Sequence, residues 1–380
     1  MVSAGTKKFR VLVVDDSAFM CKVLESIFNA DSQLQVVGRA RDGREAITLS
    51  ESLKPDVITM DLNMPHMDGL QATAHIMTNS PRPIVVVSSE SKEGAASTLK
   101  ALELGAIDFV TKPSGGIDLD MQSIKEDLVR KVRVAAKVRV VRTASRLAAT
   151  IQNPSKAPAP GPTTTAVAKQ IPSGSLSETP DFRFPIVVLG ASTGGPATVM
   201  RLAPGFTREF PAAVLLVQHM PAAFTTQFAV QLAEFTGIRV KEAELNEAIQ
   251  PGTIYICPGA QHLRLSPTGR VELDATSGRI EGYLPNIDVT MESVASFAGP
   301  MSIGVVLTGM GSDGARGARA IKTAGGFVIA QDEATSVIFG MNAEAIKAGV
   351  VDQVLGIDDI YSGLEKRVLA LSKATPVGVR

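Results

Sequence analysis

The sequence predicts an α/β protein built from two units, each containing a parallel β-sheet covered by helices. Short runs of Val, Ile and Leu alternate with amphipathic stretches over most of the 380 residues. Buried parallel strands are apolar throughout, and a crossover helix is needed before each next strand. A segment dense in Pro, Ser and Thr interrupts this alternation near the middle of the chain, which predicts a tether between the units.

Five apolar runs define the first unit, over residues 9–113. Stretches with a 3.6-residue period, such as MCKVLESIFN and GREAITLSESL, separate the runs. The runs are FRVLVVDD, LQVVGRA, PDVITMDL, RPIVVVSS and IDFVTKP. Their order predicts a five-stranded parallel sheet with right-handed crossovers.

The middle of the chain is basic, with 11 Lys and Arg against 6 Asp and Glu between residues 114 and 183. Residues 121–152 lack Gly and Pro and predict a helix of about eight turns, whose basic part is 121–146. Two interpretations of its basic face stay open, a solvated surface or a docking site for an acidic partner. Residues 153–181 have too few large apolar side chains to order themselves, so they predict a flexible linker.

The strand–helix alternation resumes at Pro185 and defines the second unit. A turn signal at residues 266–269 separates two alternating segments there, which predicts a β-hairpin inserted into a doubly wound α/β domain. The predicted divisions of the chain are residues 9–127, the basic helix and linker at 128–183, and residues 184–376.

Composition excludes several classes of protein. The formal net charge is zero and the isoelectric point is near 6.9, so nothing draws the whole chain to nucleic acid. Cys21 and Cys257 are the only cysteines and no CxxC motif is present, which argues against disulfide and zinc frameworks. No apolar run approaches the roughly 18 residues of a membrane span, and the start lacks a signal peptide. We therefore expect a cytoplasmic protein without direct membrane insertion.

Polar side chains follow four of the five predicted strands of the first unit. Asp15 and Asp16 follow its first strand, Asp61 its third, Ser88 or Ser89 its fourth, and Lys112 its fifth. Open α/β sheets bind ligands at the carboxyl ends of their strands. Three converging carboxylates repel one another unless a hard cation such as Mg²⁺ lies between them. The pattern predicts a pocket for a phosphoryl group, with Lys112 and a serine hydroxyl as donors to its oxygens.

The motifs VLVVDDS, MDLNMPHMDG and FVTKP, in this order and spacing, resemble the receiver domain of two-component response regulators. The resemblance implies a flavodoxin-like fold in which Asp61 accepts the phosphoryl group and Lys112 contacts it. It also implies that Asp15 and Asp16 help to hold Mg²⁺ with Asp61. Ser88 fits the switch hydroxyl of that family, and Phe109 fits the switch aromatic residue.

Three apolar runs of the second unit end on residues of complementary chemistry: Ser192, His219 and Asp313. These side chains are a nucleophile, a general base and an orienting carboxylate, which together predict an acyl-transfer site. GASTG, from Gly190 to Gly194, fits the G-x-S-x-G pattern of a serine on a sharp strand-to-helix turn. The same turn is compatible with a phosphate cradle, but the middle glycine of G-x-G-x-x-G and a Walker lysine are both absent.

The choice of base and acid depends on position in the predicted sheet. His219 follows an apolar strand directly, whereas the other three histidines lie in a loop, on a helix and at the hairpin: His66, His75 and His262. Three aspartates are candidates for the acid: Asp288, Asp313 and Asp332. We favour Asp313, because the small residues of TGMGSDG allow close approach of its backbone to a partner.

LGASTGGP, LLVQHMP and VLTGMGSDGA resemble the catalytic domain of the chemotaxis protein-glutamate methylesterases. The resemblance implies Ser192 as nucleophile, His219 as base and Asp313 as its orienting acid, with Thr193 and Met310 as oxyanion supports. It implies hydrolysis of glutamyl γ-methyl esters on methyl-accepting chemoreceptors and deamidation of receptor glutamines, without a cofactor at the esterase site. A chemotaxis histidine kinase is the implied phosphodonor, and the unphosphorylated receiver is expected to block the site.

Two other functions compete with this interpretation. A DNA-binding output domain would be basic and helical, whereas residues 184–380 carry 15 basic against 18 acidic side chains in an α/β pattern. The alternative that stays open is a receiver-gated esterase acting on another protein or on a small ester.

Overall fold

The structure, a computed structural model, describes residues 8–89, 91–112, 118–138 and 184–374. The predicted linker at 153–181 and the end of the predicted third division lie outside these residues. No helix among the described residues combines the length and the apolar character needed to cross a membrane.

The first unit is a five-stranded parallel sheet in the order β2-β1-β3-β4-β5, as the sequence predicts. Its elements are β1 (Phe9–Val14), α1 (Ala18–Asn29), β2 (Leu34–Ala40), α2 (Gly43–Leu53), β3 (Val57–Met60), α3 (Gly69–Asn79), β4 (Ile84–Ser88), α4 (Lys92–Glu103), β5 (Asp108–Thr111) and α5 (Asp118–Ala135). The central strands are almost entirely buried, since helices cover both faces of the sheet.

Side-chain caps fix where four of these helices begin. Ser17, Asp42, Asp68 and Ser91 each accept a hydrogen bond from a backbone N–H in the first turn of the helix that follows. Such caps satisfy donors that the helix itself leaves free, and each contributes about 1 kcal/mol. The caps therefore place the start of each helix just beyond the carboxyl edge of the sheet.

The basic helix is shorter than the sequence predicts. α5 ends at Ala135, and Val138 donates back to the carbonyl of Ala135 in a tight terminal turn. Leu128 and Val132 bury the inner face of α5 in the core of the first unit. Val138, just beyond the end of α5, is β-branched and favours helix only weakly. The prediction of one continuous eight-turn helix was wrong, and the predicted division at residue 127 falls inside α5.

The second unit contains a seven-stranded parallel sheet in the order β14-β13-β12-β6-β7-β9-β8. Its elements are β6 (Ile186–Ala191), α6 (Gly195–Leu202), β7 (Ala213–Gln218), α7 (Ala222–Glu234), β8 (Arg239–Glu242), β9 (Thr253–Ile256), β10 (His262–Leu265), β11 (Val271–Asp274), α8 (Ile287–Ala298), β12 (Ser302–Val306), α9 (Ala315–Thr323), β13 (Phe327–Gln331), α10 (Met341–Lys347), β14 (Gln353–Leu355) and α11 (Ile357–Ala374). Strands β10 and β11 pair antiparallel as a separate hairpin, so the predicted insertion is confirmed.

The strand order places a crevice at the centre of the second sheet. β6 is the first strand of this sheet along the chain, and it lies between β7 on one side and β12 on the other. The connections after β6 and β12 therefore run to opposite sides, which is the arrangement at which open α/β sheets bind ligands. The polar residues that follow β6, β7 and β12 meet at this crevice.

Candidate active site

Ser192 follows β6 on a sharp turn into α6. Gly194 has a positive φ of 77°, a conformation that glycine adopts without steric cost. The Ser192 N–H donates to the carbonyl of Thr308 beyond β12, and Gln218 Nε2 donates to the Ser192 carbonyl at 2.9 Å. A Cβ at Gly195 would lie 2.1 Å from Gln218 Oε1, so a side chain there would displace this support. The serine backbone is thus held from both neighbouring strands.

His219 lies opposite Ser192 across the pair of strands. Ala191 of β6 and Gln218 of β7 are partners in the parallel register, and Ser192 and His219 are the next residues of the two strands. His219 Nε2 lies 2.8 Å from Asp313 Oδ2. An ionised carboxylate only accepts, so Nε2 carries the proton of the neutral ring. The other nitrogen, Nδ1, is buried and has no hydrogen-bond partner among the described residues.

Asp313 is buried beneath the imidazole at the N-terminus of α8. Its carboxylate accepts the backbone N–H of Ile287 at 2.8 Å and that of Asp288 at 2.9 Å, in addition to His219. Burial acts to raise the pKa of Asp313, but these donors outweigh it and hold the pKa below its usual range. The carboxylate therefore stays ionised and fixes the tautomer of His219.

The two competing aspartates occupy other positions. Asp288 Oδ1 accepts the N–H groups of Gly314 and Gly317 at the start of α9, at 2.9 and 2.6 Å. Burial and the neighbouring Asp313 charge raise the pKa of Asp288 above its usual range. Asp332 accepts the N–H of Thr335 in its own loop. Among the described contacts, Asp313 makes a hydrogen bond to His219, whereas Asp288 and Asp332 make none.

The buried His262 has a structural contact. Its Nε2 lies 2.8 Å from the carbonyl of Gly278, next to the hairpin rather than the crevice.

The proposed oxyanion supports make contacts that the sequence does not predict. Thr193 Oγ1 donates to Asp108 Oδ2 of the first unit at 2.7 Å, and Thr193 is only 5% exposed. Met310 lies in the loop after β12, and its carbonyl accepts from Tyr283 Oη at 3.5 Å. The roles of Thr193 and Met310 toward a substrate oxygen stay predictions.

The first unit packs against the second through α4, which lies on α6 and α7, and through β5. Phe109 of β5 lies against Phe224 of α7, with ring centroids 4.4 Å apart. Lys131 of α5 donates to the Phe109 carbonyl at 2.7 Å and pairs with Asp108 at 3.2 Å. The predicted switch aromatic residue, Phe109, therefore lies at the contact between the two units.

The predicted phosphoryl pocket lies at the carboxyl edge of the first sheet. One carboxylate oxygen each from Asp15, Asp16 and Asp61 lies within 4.8 Å of the other two. Lys112 Nζ pairs with Asp61 at 2.7 Å and with Asp15 at 2.9 Å. Burial raises the pKa of Asp61 although Lys112 acts to lower it. Ser88 is buried at the end of β4, and its hydroxyl donates to the Gly94 carbonyl.

These residues fit a hard divalent cation. The three carboxylates supply oxygen ligands, and Asp16 is exposed, so the cluster is open to solvent on one side. Mg²⁺ takes oxygen ligands and retains several waters, which suits a half-open group of carboxylates.

Two residues of the crevice were missed by the sequence reasoning. Gln218 supports the turn that carries Ser192. The only indication of this role in the sequence is that Gln218 ends an apolar strand. The Tyr283 ring stacks on the His219 imidazole, with centroids 4.5 Å apart and an angle of 16° between the planes. Tyr283 lies in a non-periodic loop, where no sequence pattern indicates its partner.

Comparison with known proteins gives consistent matches over nearly the whole chain. A family model described as CheB methylesterase matches residues 187–364, and one described as response regulator receiver domain matches residues 11–122. A protein-glutamate methylesterase/protein-glutamine glutaminase of Pyrococcus horikoshii is 41% identical over 366 residues, which cover 95% of this chain and 94% of the relative. A protein of the same name from Halalkalibacterium halodurans is 39% identical, over 95% and 98% of the two chains.

Among solved structures, the Thermotoga maritima CheB methylesterase catalytic domain is 41% identical and covers 48% of this chain and 98% of its own, with a TM-score of 0.47.

Proposed function

Because the chain belongs to the family of protein-glutamate methylesterase/protein-glutamine glutaminases with a receiver domain, we propose that Ser192, His219 and Asp313 perform its hydrolysis. The substrates are glutamyl γ-methyl esters of methyl-accepting chemoreceptors, which release methanol, and receptor glutamines, which release ammonia. The pairing of His219 Nε2 with Asp313 carries this proposal, because it leaves Nδ1 as the one ring nitrogen able to take a proton.

The reaction proceeds through an acyl-enzyme. Ser192 Oγ attacks the γ-carbonyl carbon while His219 Nδ1 takes the hydroxyl proton. Asp313 stabilises the imidazolium that forms, as its depressed pKa favours an ionised carboxylate beside a cation. The tetrahedral intermediate breaks its bond to methoxide, and His219 returns the proton so that methanol leaves. Water then attacks the acyl-enzyme with the same base, which yields the free glutamate carboxylate and restores Ser192.

Charge on the carbonyl oxygen develops next to the start of α6. The N-terminus of a helix carries partial positive charge and free N–H groups, which favour an oxyanion. Thr193 and Met310 are the proposed side supports of this oxygen. Deamidation follows the same steps, with His219 protonating nitrogen as ammonia leaves; amide nitrogen is the poorer leaving group and makes this reaction slower.

The receiver regulates the site by covering it. The hydrogen bond from Thr193 to Asp108 and the packing of Phe109 on Phe224 support a closed state in which a receptor helix has no access to Ser192. Phosphorylation of Asp61 by a chemotaxis histidine kinase shifts the receiver to a state that binds the crevice less well. A hundredfold relief of inhibition needs only about 2.7 kcal/mol of differential interaction.

Asp15, Asp16 and Asp61 would hold Mg²⁺ in this receiver. When bound, the ion neutralises negative charge on the arriving phosphoryl group. Lys112, which pairs with both Asp61 and Asp15, contributes a second positive charge.

Methanol release from methylated chemoreceptor membranes tests both parts of the proposal. It is measured with and without acetyl phosphate and Mg²⁺, for the full chain and for Ser192→Ala and Asp61→Ala. Ser362→Ala, a substitution on the exposed face of α11, is the matched serine control. We expect release that requires Ser192 and that acetyl phosphate stimulates only when Asp61 is present.

Other outcomes are equally informative. Normal release by Ser192→Ala removes the proposed mechanism. Release without stimulation in the wild type removes the switch and keeps the esterase. Hydrolysis of a small ester without any release from receptors favours the receiver-gated esterase of other specificity.

A further inference from the structure

Tyr283 covers one face of the His219 ring. The two rings are nearly parallel, 16° apart in plane and 4.5 Å apart in centroid, and His219 keeps only a small exposed fraction. The tyrosine belongs to the loop between β11 and α8. Ile280 and Tyr283 exchange two backbone hydrogen bonds of 3.0 Å each, which close a tight turn through the positive-φ residues Glu281 and Gly282. The ring is therefore carried on a fixed turn.

The far end of the tyrosine is also held. Tyr283 Oη lies 3.5 Å from the Met310 carbonyl, in the loop that leads to Asp313. A Cβ at Gly311 would lie 2.0 Å from Tyr283 Oη, so this loop has room for the tyrosine only because residue 311 is glycine. The ring thus lies between the imidazole and the loop that carries its acid partner.

The His219 imidazole needs the stacked ring, because its other described contact is a single hydrogen bond to Asp313. The hydrogen bond from Nε2 to Asp313 fixes one atom and allows the ring to turn about that contact. Nδ1 has no partner among the described residues that would oppose this rotation. A stacked ring fixes the plane, and aromatic contacts of this kind contribute about 0.5–1.5 kcal/mol beyond burial.

We propose that Tyr283 is a positioning residue for the hydrolysis, holding the imidazole plane of His219 in the orientation in which Nδ1 receives the Ser192 proton. The inference rests on the proposed role of His219 as general base. The ring face also stabilises the imidazolium formed during acyl transfer, since the face of an aromatic ring attracts a cation.

Other charged groups act on this pair of rings and stay in place when Tyr283 is changed. Asp313 faces His219 directly, and Asp288 lies behind Asp313. Arg130 of α5 and Glu281 of the turn act on Tyr283 itself. Differences between variants at position 283 therefore report on the ring and not on these charges.

Two variants separate the ring face from the hydroxyl. Tyr283→Leu keeps an apolar side chain but removes the aromatic face, and Tyr283→Phe keeps the face but removes the hydroxyl. We expect Tyr283→Leu to lower kcat for methanol release by about tenfold with KM changed less than about twofold. Tyr283→Phe should restore kcat to within about threefold of wild type. All measurements use the full chain with acetyl phosphate and Mg²⁺.

The pH profile gives the readout that simple packing would not produce. The base acts unprotonated, so the acid limb of kcat/KM reports the protonation of the group that takes the Ser192 proton. Loss of the ring face removes stabilisation of the imidazolium, so Tyr283→Leu should move this limb to lower pH, by about half a unit. A variant that merely let water reach the imidazole would move the limb to higher pH, because hydration favours the charged form.

The same shift is measurable without turnover. The ring carbon resonances of ¹³C-labelled histidine are titrated in the unphosphorylated full chain, and the His219 signal is identified by its loss in His219→Gln. The inference is overturned if Tyr283→Leu and the wild type have the same kcat and the same acid limb of kcat/KM. It is also overturned if Tyr283→Phe is as slow as Tyr283→Leu. Full activity of His219→Gln instead overturns the proposed function and is recognisable as that separate failure.

Discussion

The Asp313 carboxylate binds His219 and the first turn of α8 through the same oxygen. Oδ2 lies 2.8 Å from His219 Nε2 and accepts the Ile287 N–H, also at 2.8 Å. The helix dipole and the imidazole therefore both favour the ionised carboxylate. The side chain that we propose as the orienting acid also accepts the first two backbone N–H groups of α8, whose N-cap is Asn286, so changes at residue 313 should affect chemistry and stability together.

Asp313→Asn should lower methanol release by about 10³- to 10⁴-fold. The amide offers one acceptor oxygen where the carboxylate offers two, so it cannot hold the Nε2-protonated form of His219 and also accept both N–H groups at the start of α8. We also expect a loss of about 1–2 kcal/mol in the free energy of unfolding. Steady-state methanol release and urea unfolding measure the two effects. Activity within tenfold of wild type would show that the carboxylate does not orient the base.

Asp108→Ala should raise methanol release by the unphosphorylated chain about tenfold. It removes the acceptor of the Thr193 hydroxyl, a hydrogen bond to a charged group that contributes about 1.5–3 kcal/mol. Release by the phosphorylated chain should stay near wild type. Glu25→Ala, which removes only an exposed pair with Arg39 on the first unit, is the control.

Phosphate incorporation at Asp61 shows whether the Asp108→Ala receiver is folded. Normal incorporation together with unchanged basal release would exclude this hydrogen bond from the inhibitory contact.

Gly311→Ala should impair activity beyond its cost in stability. Gly311 has a φ of 92°, and an added Cβ would displace the Tyr283 hydroxyl. Gly349 also has a positive φ, of 69°, but an added Cβ there meets open space. Both alanine variants should lose about 1 kcal/mol of stability. Only Gly311→Ala should lower methanol release, by about tenfold. Equal activities in the two variants would contradict the tight fit of the tyrosine.

Both cysteine thiols should be unreactive in the native protein. Complete burial raises the pKa of Cys257 to about 12, and burial and the nearby Asp15 charge raise that of Cys21. At pH 8 only about one Cys257 in 10⁴ is the reactive thiolate, so Ellman's reagent should modify it more than about 10³-fold more slowly than a free thiol. Ser52→Cys on the exposed face of α2 is the positive control. Rapid modification of Cys257 in the native protein would show that the core of the second unit opens frequently.

The strand-end residues could be predicted because buried parallel strands have a distinctive composition. β6, β7 and β12 are apolar along their whole length, so the first polar residues beyond them are conspicuous in the sequence. The carboxyl edge of an α/β sheet then brings these residues to one side. This reasoning identifies Ser192, His219 and Asp313 as neighbours, and the parallel sheets that it requires are confirmed.

Contacts that depend on irregular backbone or on the packing of two units could not be predicted. The turn that carries Tyr283 has no periodicity, and its position over His219 depends on two positive-φ residues. Thr193 and Asp108 are 85 residues apart and belong to different sheets, so no local pattern pairs them. The end of α5 at Ala135 could not be predicted either, because residues 121–152 contain neither Gly nor Pro to mark it.

If the receiver covers the crevice as we propose, the hydrogen bond between Thr193 and Asp108 makes the receiver and the substrate competitors for the same surface. Thermodynamic linkage is reciprocal. If phosphorylation of Asp61 raises the affinity for the receptor by a given factor, bound receptor raises the equilibrium constant for phosphorylation by the same factor. Dense arrays of methylated receptors should therefore increase the phosphorylated fraction of this protein at a fixed supply of phosphodonor. The enzyme would then respond to the abundance of its substrate as well as to its kinase.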